Sequence, residues 1–179
     1  MKKKNHRSTI EKTEQNSIDG EKILKTLKSL LERCEKSGLK IGYPGEGGER
    51  PFRHWLAVDL LEKVLKWPSN KVIVGERFDI LLQDSAEFPI VTIETKAPYR
   101  KASKKERKNF EDRLSGFGTL RTVYFTNGNE WERLEIFSPK GKLEIREQIE
   151  FNLEKATPEE DISIKRNTLS ISLLAFVVP

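Results

Sequence analysis

Cysteine and histidine are nearly missing from this chain, and that scarcity removes several chemistries at once. A single cysteine, Cys34, permits no disulfide within the chain and no cysteine-built zinc site. It fits a reducing cytoplasm. With only His6 and His54, a histidine zinc site or a Ser-His-Asp triad has very little material. No apolar run approaches the roughly 20 residues of a membrane span, so no membrane partner is expected. The basic start Met1-Lys2-Lys3-Lys4-Asn5-His6-Arg7 is followed by no apolar signal core. The glycine-rich stretch Gly42-Tyr43-Pro44-Gly45-Glu46-Gly47-Gly48 is followed by no Gly-Lys-Ser/Thr, so it is a connection and not a phosphate-binding loop. No internal repeat is present.

What remains is a charge-rich chain of 179 residues, 36% hydrophobic and 34% charged, long enough for one domain with a real core. A net charge of +5 suits a polyanionic partner, although abundant Lys and Glu also fit a heat-adapted host.

Residues 1–16 read as a disordered basic tail, either simply solvated or an arm for nucleic acid. The segment 17–40 holds a helix over 18–37. Ile23, Leu24, Leu27, Leu30, Leu31 and Cys34 recur there at helical spacing, and Gly38 stops it. A second helix is expected over about 50–66, with Pro51 in its first turn and Phe52, Trp55, Leu56, Leu60 and Val64 as its stripe. Strands follow at about 71–75, 77–83 and 90–96, with Asp84-Ser85-Ala86-Glu87 as a turn. Ser103-Lys104-Lys105-Glu106 is a capping box opening a helix to about 115, ended by Gly116 and Gly118. A strand at 119–126 meets Asn127-Gly128, a strong hairpin signal, and strands of about 130–138 and 142–151 follow. Residues 152–179 form a C-terminal extension. It carries a weak helix start at Thr157-Pro158-Glu159-Glu160 and an apolar run, Leu169–Val178. The order predicts an α/β fold, a small mixed β-sheet flanked by helices.

The strands carry the chemistry. Glu94 and Lys96 are two apart, so on a strand both face one way. Asp79 lies in the preceding apolar run, between Phe78 and Ile80. Burying such charges costs several kcal/mol unless they are paired or bind a metal. Two readings are open: a half-exposed strand face with a cross-strand ion pair, or a divalent cation site. In the second, Asp79 and Glu94 supply hard oxygen ligands for Mg²⁺, the Thr95 carbonyl is a further neutral ligand, and Lys96 steadies a water or developing charge. Glu49 opens the second helix. It either reaches this site as an auxiliary carboxylate or simply favours a helix N-terminus, and the spacing alone favours the latter. His54 reads as a packed or surface helix histidine. Glu106-Arg107-Lys108 repeats the Glu-x-Lys pattern on a helix and reads as surface. Between Lys96 and Lys108 lie Arg100, Lys101, Lys104, Lys105 and Arg107, with Tyr99 among them. This stretch is either a solvated helix start or a track for a phosphate backbone.

Taken in order, four stretches resemble the PD-(D/E)xK nuclease superfamily, and more narrowly the nuclease domain of type I restriction motor subunits and single-chain restriction–modification proteins. They are Glu49-Arg50-Pro51-Phe52-Arg53 with Leu60-Leu61 and Leu65-Lys66-Trp67; Arg77-Phe78-Asp79-Ile80-Leu81; Ile93-Glu94-Thr95-Lys96-Ala97; and Tyr124-Phe125-Thr126-Asn127-Gly128 followed by Trp131. The match spans about 46–138, within a nuclease-like domain at 41–151. The resemblance implies a restriction-endonuclease-like core and a Mg²⁺-dependent DNA endonuclease, with Mn²⁺ able to substitute. It implies Asp79, Glu94 and Lys96 as the catalytic core, Glu49 as a helix acid, and DNA as partner to a homodimer or a larger restriction complex. Arg100, Lys101, Lys104, Lys105 and Lys108 are then the nucleic-acid-binding residues. The chain departs from the family in having no glutamine over 100–118 and no helicase or methyltransferase motif. It is therefore read as a lone nuclease domain, a fragment of a longer protein, or a small relative with another job. A DNA-binding module without catalysis and a structure-selective repair or recombination nuclease are the alternatives.

Overall fold

The computed structural model describes residues 20–38, 48–75, 77–137 and 144–154. The basic tail, most of the glycine-rich stretch, the Thr157 helix start and the Leu169–Val178 run lie outside these residues.

Helix α1 spans Gly20–Lys36. All six members of its expected stripe, Ile23 through Cys34, are buried. Each large apolar side chain so buried contributes about 1.5–3 kcal/mol. Gly38 follows in the left-handed region at φ 65°, where glycine carries no penalty. Helix α2, Glu49–Trp55, runs without a break into a π-helical segment, Leu56–Glu62. The wider winding shows in the hydrogen bonds from Lys63 to Val58 and from Leu65 to Leu60. It turns Leu56, Leu60, Leu61 and Leu65 inward together, so Leu61 and Leu65 join the expected stripe while Trp55 and Val64 stay only half-buried.

The strands are β1 (Val72–Val74), β2 (Ile80–Gln83), β3 (Pro89–Thr95), β4 (Thr122–Thr126), β5 (Glu130–Phe137) and β6 (Glu144–Asn152). They form one six-stranded sheet in chain order, antiparallel throughout except that β3 and β4 are parallel. A parallel pair needs a crossover, and helix α3 (Lys104–Leu114) supplies it. The molecule is thus α/β, with a mixed sheet and helices on both faces. β2 starts at Ile80, so Asp79 stands in the bend before the strand and not inside it.

Two apolar clusters flank the sheet. The larger joins α1, α2 and the π-segment to Ile80, Leu82, Val91, Ile93, Tyr124 and Trp131. The smaller joins Phe110 and Leu114 of α3 to Phe78, Val123, Phe125, Leu134 and Ile136. β3 lies between them and is buried along nearly its whole length, which explains its continuous apolar run.

The capping box forms as expected. The Ser103 hydroxyl accepts from the Glu106 amide at 3.2 Å, and Glu106 accepts from the Ser103 amide at 2.8 Å. The Asn127-Gly128 turn forms too, with Gly128 at φ 86°. A Cβ there would lie 2.5 Å from the Leu31 side chain and 3.2 Å from the Phe52 ring, so the turn is also a close-packing point against α1 and α2.

Candidate active site

β3 and β4 end together, at Thr95 and Thr126. In open α/β sheets the carboxyl ends of parallel strands form the crevice where ligands bind. The chain leaves this end under tight control. The Lys96 amide donates to the Thr126 carbonyl at 2.7 Å and the Tyr99 amide to the Asn127 carbonyl at 3.0 Å. Tyr99 adopts φ 61°, a sparsely populated conformation for a bulky residue. So the Thr126-Asn127-Gly128 turn anchors the loop that carries Lys96 and Arg100.

Glu94 and Lys96 share one sheet face, as the two-residue spacing predicts. Both are almost wholly buried, at 6% exposure each. The Lys96 ammonium donates to Glu94 Oε1 at 3.1 Å. Ile80 pairs with Ile93 across β2 and β3, and Asp79, in the bend just before β2, reaches the end of β3 at Thr95. Asp79 is fully engaged. Its Oδ2 accepts from the Thr95 amide at 2.7 Å and the Thr95 hydroxyl at 2.9 Å, and its Oδ1 pairs with Arg53 at 2.5 Å. Glu49 opens α2 as expected and faces the same site, 3.8 Å from the Lys96 ammonium and 3.6 Å from Arg100.

The electrostatics match this crowding. Burial, and then the charge of Asp79, pushes the Glu94 carboxyl above its usual range, while Lys96 and Arg113 pull it back. Glu49 is raised first by burial, with Lys96 lowering it and Asp79 raising it. Asp79 thus pushes both glutamates up, and Lys96 pulls both down. One oxygen stands out: Glu94 Oε2 is buried and accepts no hydrogen bond from the described residues. Leaving a buried acceptor unpaired costs about 1–3 kcal/mol.

Arg100 is less available to a partner than its place in the basic stretch suggests. It forms a forked pair with Glu106, at 2.8 and 3.2 Å, as well as reaching Glu49. The Arg100 pair and the Ser103 cap hold the Glu106 carboxyl down at about 2. Glu106 is therefore a structural acid tying the loop to α3. Arg107 is tied to Glu132 at 2.5 Å. Lys101 pairs with Glu130 at 3.1 Å but stays exposed. Lys104, Lys105 and Lys108 are exposed and form no ion pair among the described residues. His54 is exposed on α2.

Residue patterning alone did not single out Arg53, Arg113 or the side chain of Thr95 as parts of the site. Arg113 donates to Glu94 Oε1 at 3.0 Å and lies against the Phe78 and Phe110 rings. The signals were faint. Arg53 lies four residues after Glu49, on the same helix face, and Arg113 interrupts the apolar stripe of α3 beside Leu114.

Among the described residues, no group of three or more His, Cys, Asp or Glu side chains is arranged to hold a metal ion. A Mg²⁺ site needs less, because that ion commonly takes one or two carboxylates and keeps several waters. The unpaired Oε2 of Glu94, on a carboxyl that also feels the charge of Asp79, fits that requirement. No family model, no curated protein and no solved structure matches the chain. No helix among the described residues is long and apolar enough to cross a membrane.

Proposed function

We propose that the protein is a divalent-metal-dependent DNA endonuclease, of restriction or defence type, on a restriction-endonuclease-like core. The observation that carries this reading is the buried Glu94 Oε2, unpaired beside the charge of Asp79 and within a lysine's reach. Glu94 and Asp79 would hold Mg²⁺, with the Thr95 carbonyl as a further ligand. When bound, the ion polarises the phosphoryl group and lowers the pKa of a bound water. Thr95 fixes Asp79 through two donors, so the second carboxylate is held in place beforehand. Arg113 and Lys96 both take Oε1 of Glu94, so Oε2 is the oxygen that would take a cation. Lys96 has three donors, so beyond Glu94 it can orient the attacking water or offset charge on the phosphorane. Glu49, 3.8 Å from Lys96, keeps that ammonium at the site. Lys104, Lys105 and Lys108 lie on the helix that follows and would track the phosphate backbone.

A plasmid nicking and linearisation assay tests this. Mg²⁺ or Mn²⁺ should support cleavage, and Ca²⁺ should support binding with little turnover. Cleavage that persists in excess chelator would falsify the metal mechanism. A DNA-binding module without catalysis is the second reading, favoured by the complete engagement of Asp79 with Arg53 and Thr95. Duplex binding in Ca²⁺ with no cleavage under any divalent ion selects it.

A further inference from the structure

The two central acids are not equally ready for a cation. Glu94 keeps one buried oxygen free of hydrogen bonds, so a metal taken there need not displace Lys96 or Arg113 from Oε1. Asp79 has less reserve: Thr95 holds Oδ2 with two donors, and Arg53 holds Oδ1. A divalent ion reaching Asp79 at either oxygen meets one of these partners. Thr95 is the wrong one to lose, because its amide is fixed at the end of β3, in register with Thr126. Arg53 is a side chain on a helix, and about a fifth of it is exposed, so it has a way out. A guanidinium left beside an oxygen that also binds a divalent cation suffers direct charge repulsion. The anion brought to this site by the proposed substrate is a phosphate, which a guanidinium grips with two parallel donors.

We propose that Arg53 is a substrate-phosphate ligand that, in the free protein, is parked on Asp79 and blocks full cation binding there. The phosphodiester draws Arg53 off Asp79 and frees the second carboxylate, so metal and DNA bind with positive coupling. This inference rests on the nuclease reading of the same site. It assigns that site an order: the cation first at Glu94, then Asp79 once a phosphate has taken Arg53.

The test is calorimetric titration of Ca²⁺ into the whole protein, with and without a short duplex, for the wild type and Arg53→Gln. Ca²⁺ avoids turnover. In the wild type the duplex should tighten Ca²⁺ by about 5- to 150-fold, the usual span of coupling between sites. Arg53→Gln should bind Ca²⁺ alone more tightly than the wild type, bind the duplex more weakly, and lose most of the coupling. Weaker Ca²⁺ binding by Arg53→Gln, with duplex affinity kept, would overturn the proposal and make Arg53 an orienter of Asp79. Coupling unchanged by the substitution overturns it equally. Wild-type protein that binds no Ca²⁺ sinks the nuclease reading together with this one. Wild-type protein that binds both ligands without coupling sinks this proposal alone. Should Arg53→Gln fail to fold, Arg53→Lys decides. It keeps the charge but not the fork, so it should leave Ca²⁺ affinity within about twofold while reducing coupling. Coupling equal to wild type in Arg53→Lys overturns the proposal.

Discussion

Two glutamates lie in one row across the sheet and differ in what surrounds them. Glu94 on β3 is in register with Phe125 on β4, and Phe125 with Glu132 on β5. Both acids are 6% exposed, and each is held by an arginine from α3. Lys96 and Arg107 approach the Phe125 ring between them, at 5.8 and 4.9 Å. Glu132 is closed: Arg107 takes Oε2 and Gln148 donates to Oε1 at 2.9 Å. Glu94 is open, with Oε2 unpaired and a second acid nearby. A buried carboxylate with both oxygens engaged is a structural joint. One with an unpaired oxygen beside like charge holds free energy that a proton or a cation recovers.

Substituting the two acids gives the largest expected contrast. Glu94→Gln should lower cleavage by about 10³-fold or more, since it removes charge from the proposed metal site. Its thermal stability should be equal to or above wild type, because the costly buried charge is gone. Glu132→Gln should do the reverse, costing about 1–3 kcal/mol of stability while leaving cleavage unchanged, the half-exposed Arg107 limiting the loss. Stability lost by the first or activity lost by the second breaks the distinction. Lys96→Ala should reduce turnover by about 10²–10³-fold while duplex affinity in Ca²⁺ holds, measured by anisotropy. Equal loss of both makes Lys96 structural.

Acid–base behaviour sharpens the same comparison. Glu94 has a raised carboxyl, so its protonated form is favoured in the folded state. Its contribution to stability is fully present below the unfolded carboxyl pKa and is lost as pH rises through the raised value. Glu106 has the opposite sign: it stabilises above the unfolded pKa, and that stability is lost as pH falls toward about 2. Denaturant melts across this window should show the first slope vanish in Glu94→Gln and the second vanish in Glu106→Gln. Ca²⁺ affinity should fall as pH drops through the Glu94 transition. The smallest effect belongs to the surface lysines. Neutralising Lys101, Lys104 and Lys105 should reduce the log–log salt slope of duplex binding by roughly 0.9 per lost contact, with the fold intact. An unchanged slope moves the proposed DNA track elsewhere.

Much of the architecture was legible because it depends on local physics. The α1 stripe, the capping box at Ser103 and the Asn127-Gly128 turn each show in a periodicity or a backbone hydrogen-bonding pattern that spans only near neighbours. The shared face of Glu94 and Lys96 follows from strand geometry alone. Less legible was the state of Arg100, which by sequence is one basic residue in a basic run. Glu106 and Glu49 hold it inward through contacts between a loop, α3 and α2.

The sequence by itself determined the element order, the crossover helix, the apolar faces and the types of residue the strands carry, because periodicity, caps and turns are set by near neighbours. Only the tertiary structure decided which charges meet. Arg53 and Asp79 are 26 positions apart, and Glu94 and Arg113 are 19 apart. Whether a carboxylate oxygen ends paired or vacant depends on the packing of α2 and α3 against opposite faces of the sheet, and long-range packing of that kind leaves no periodic trace in the chain.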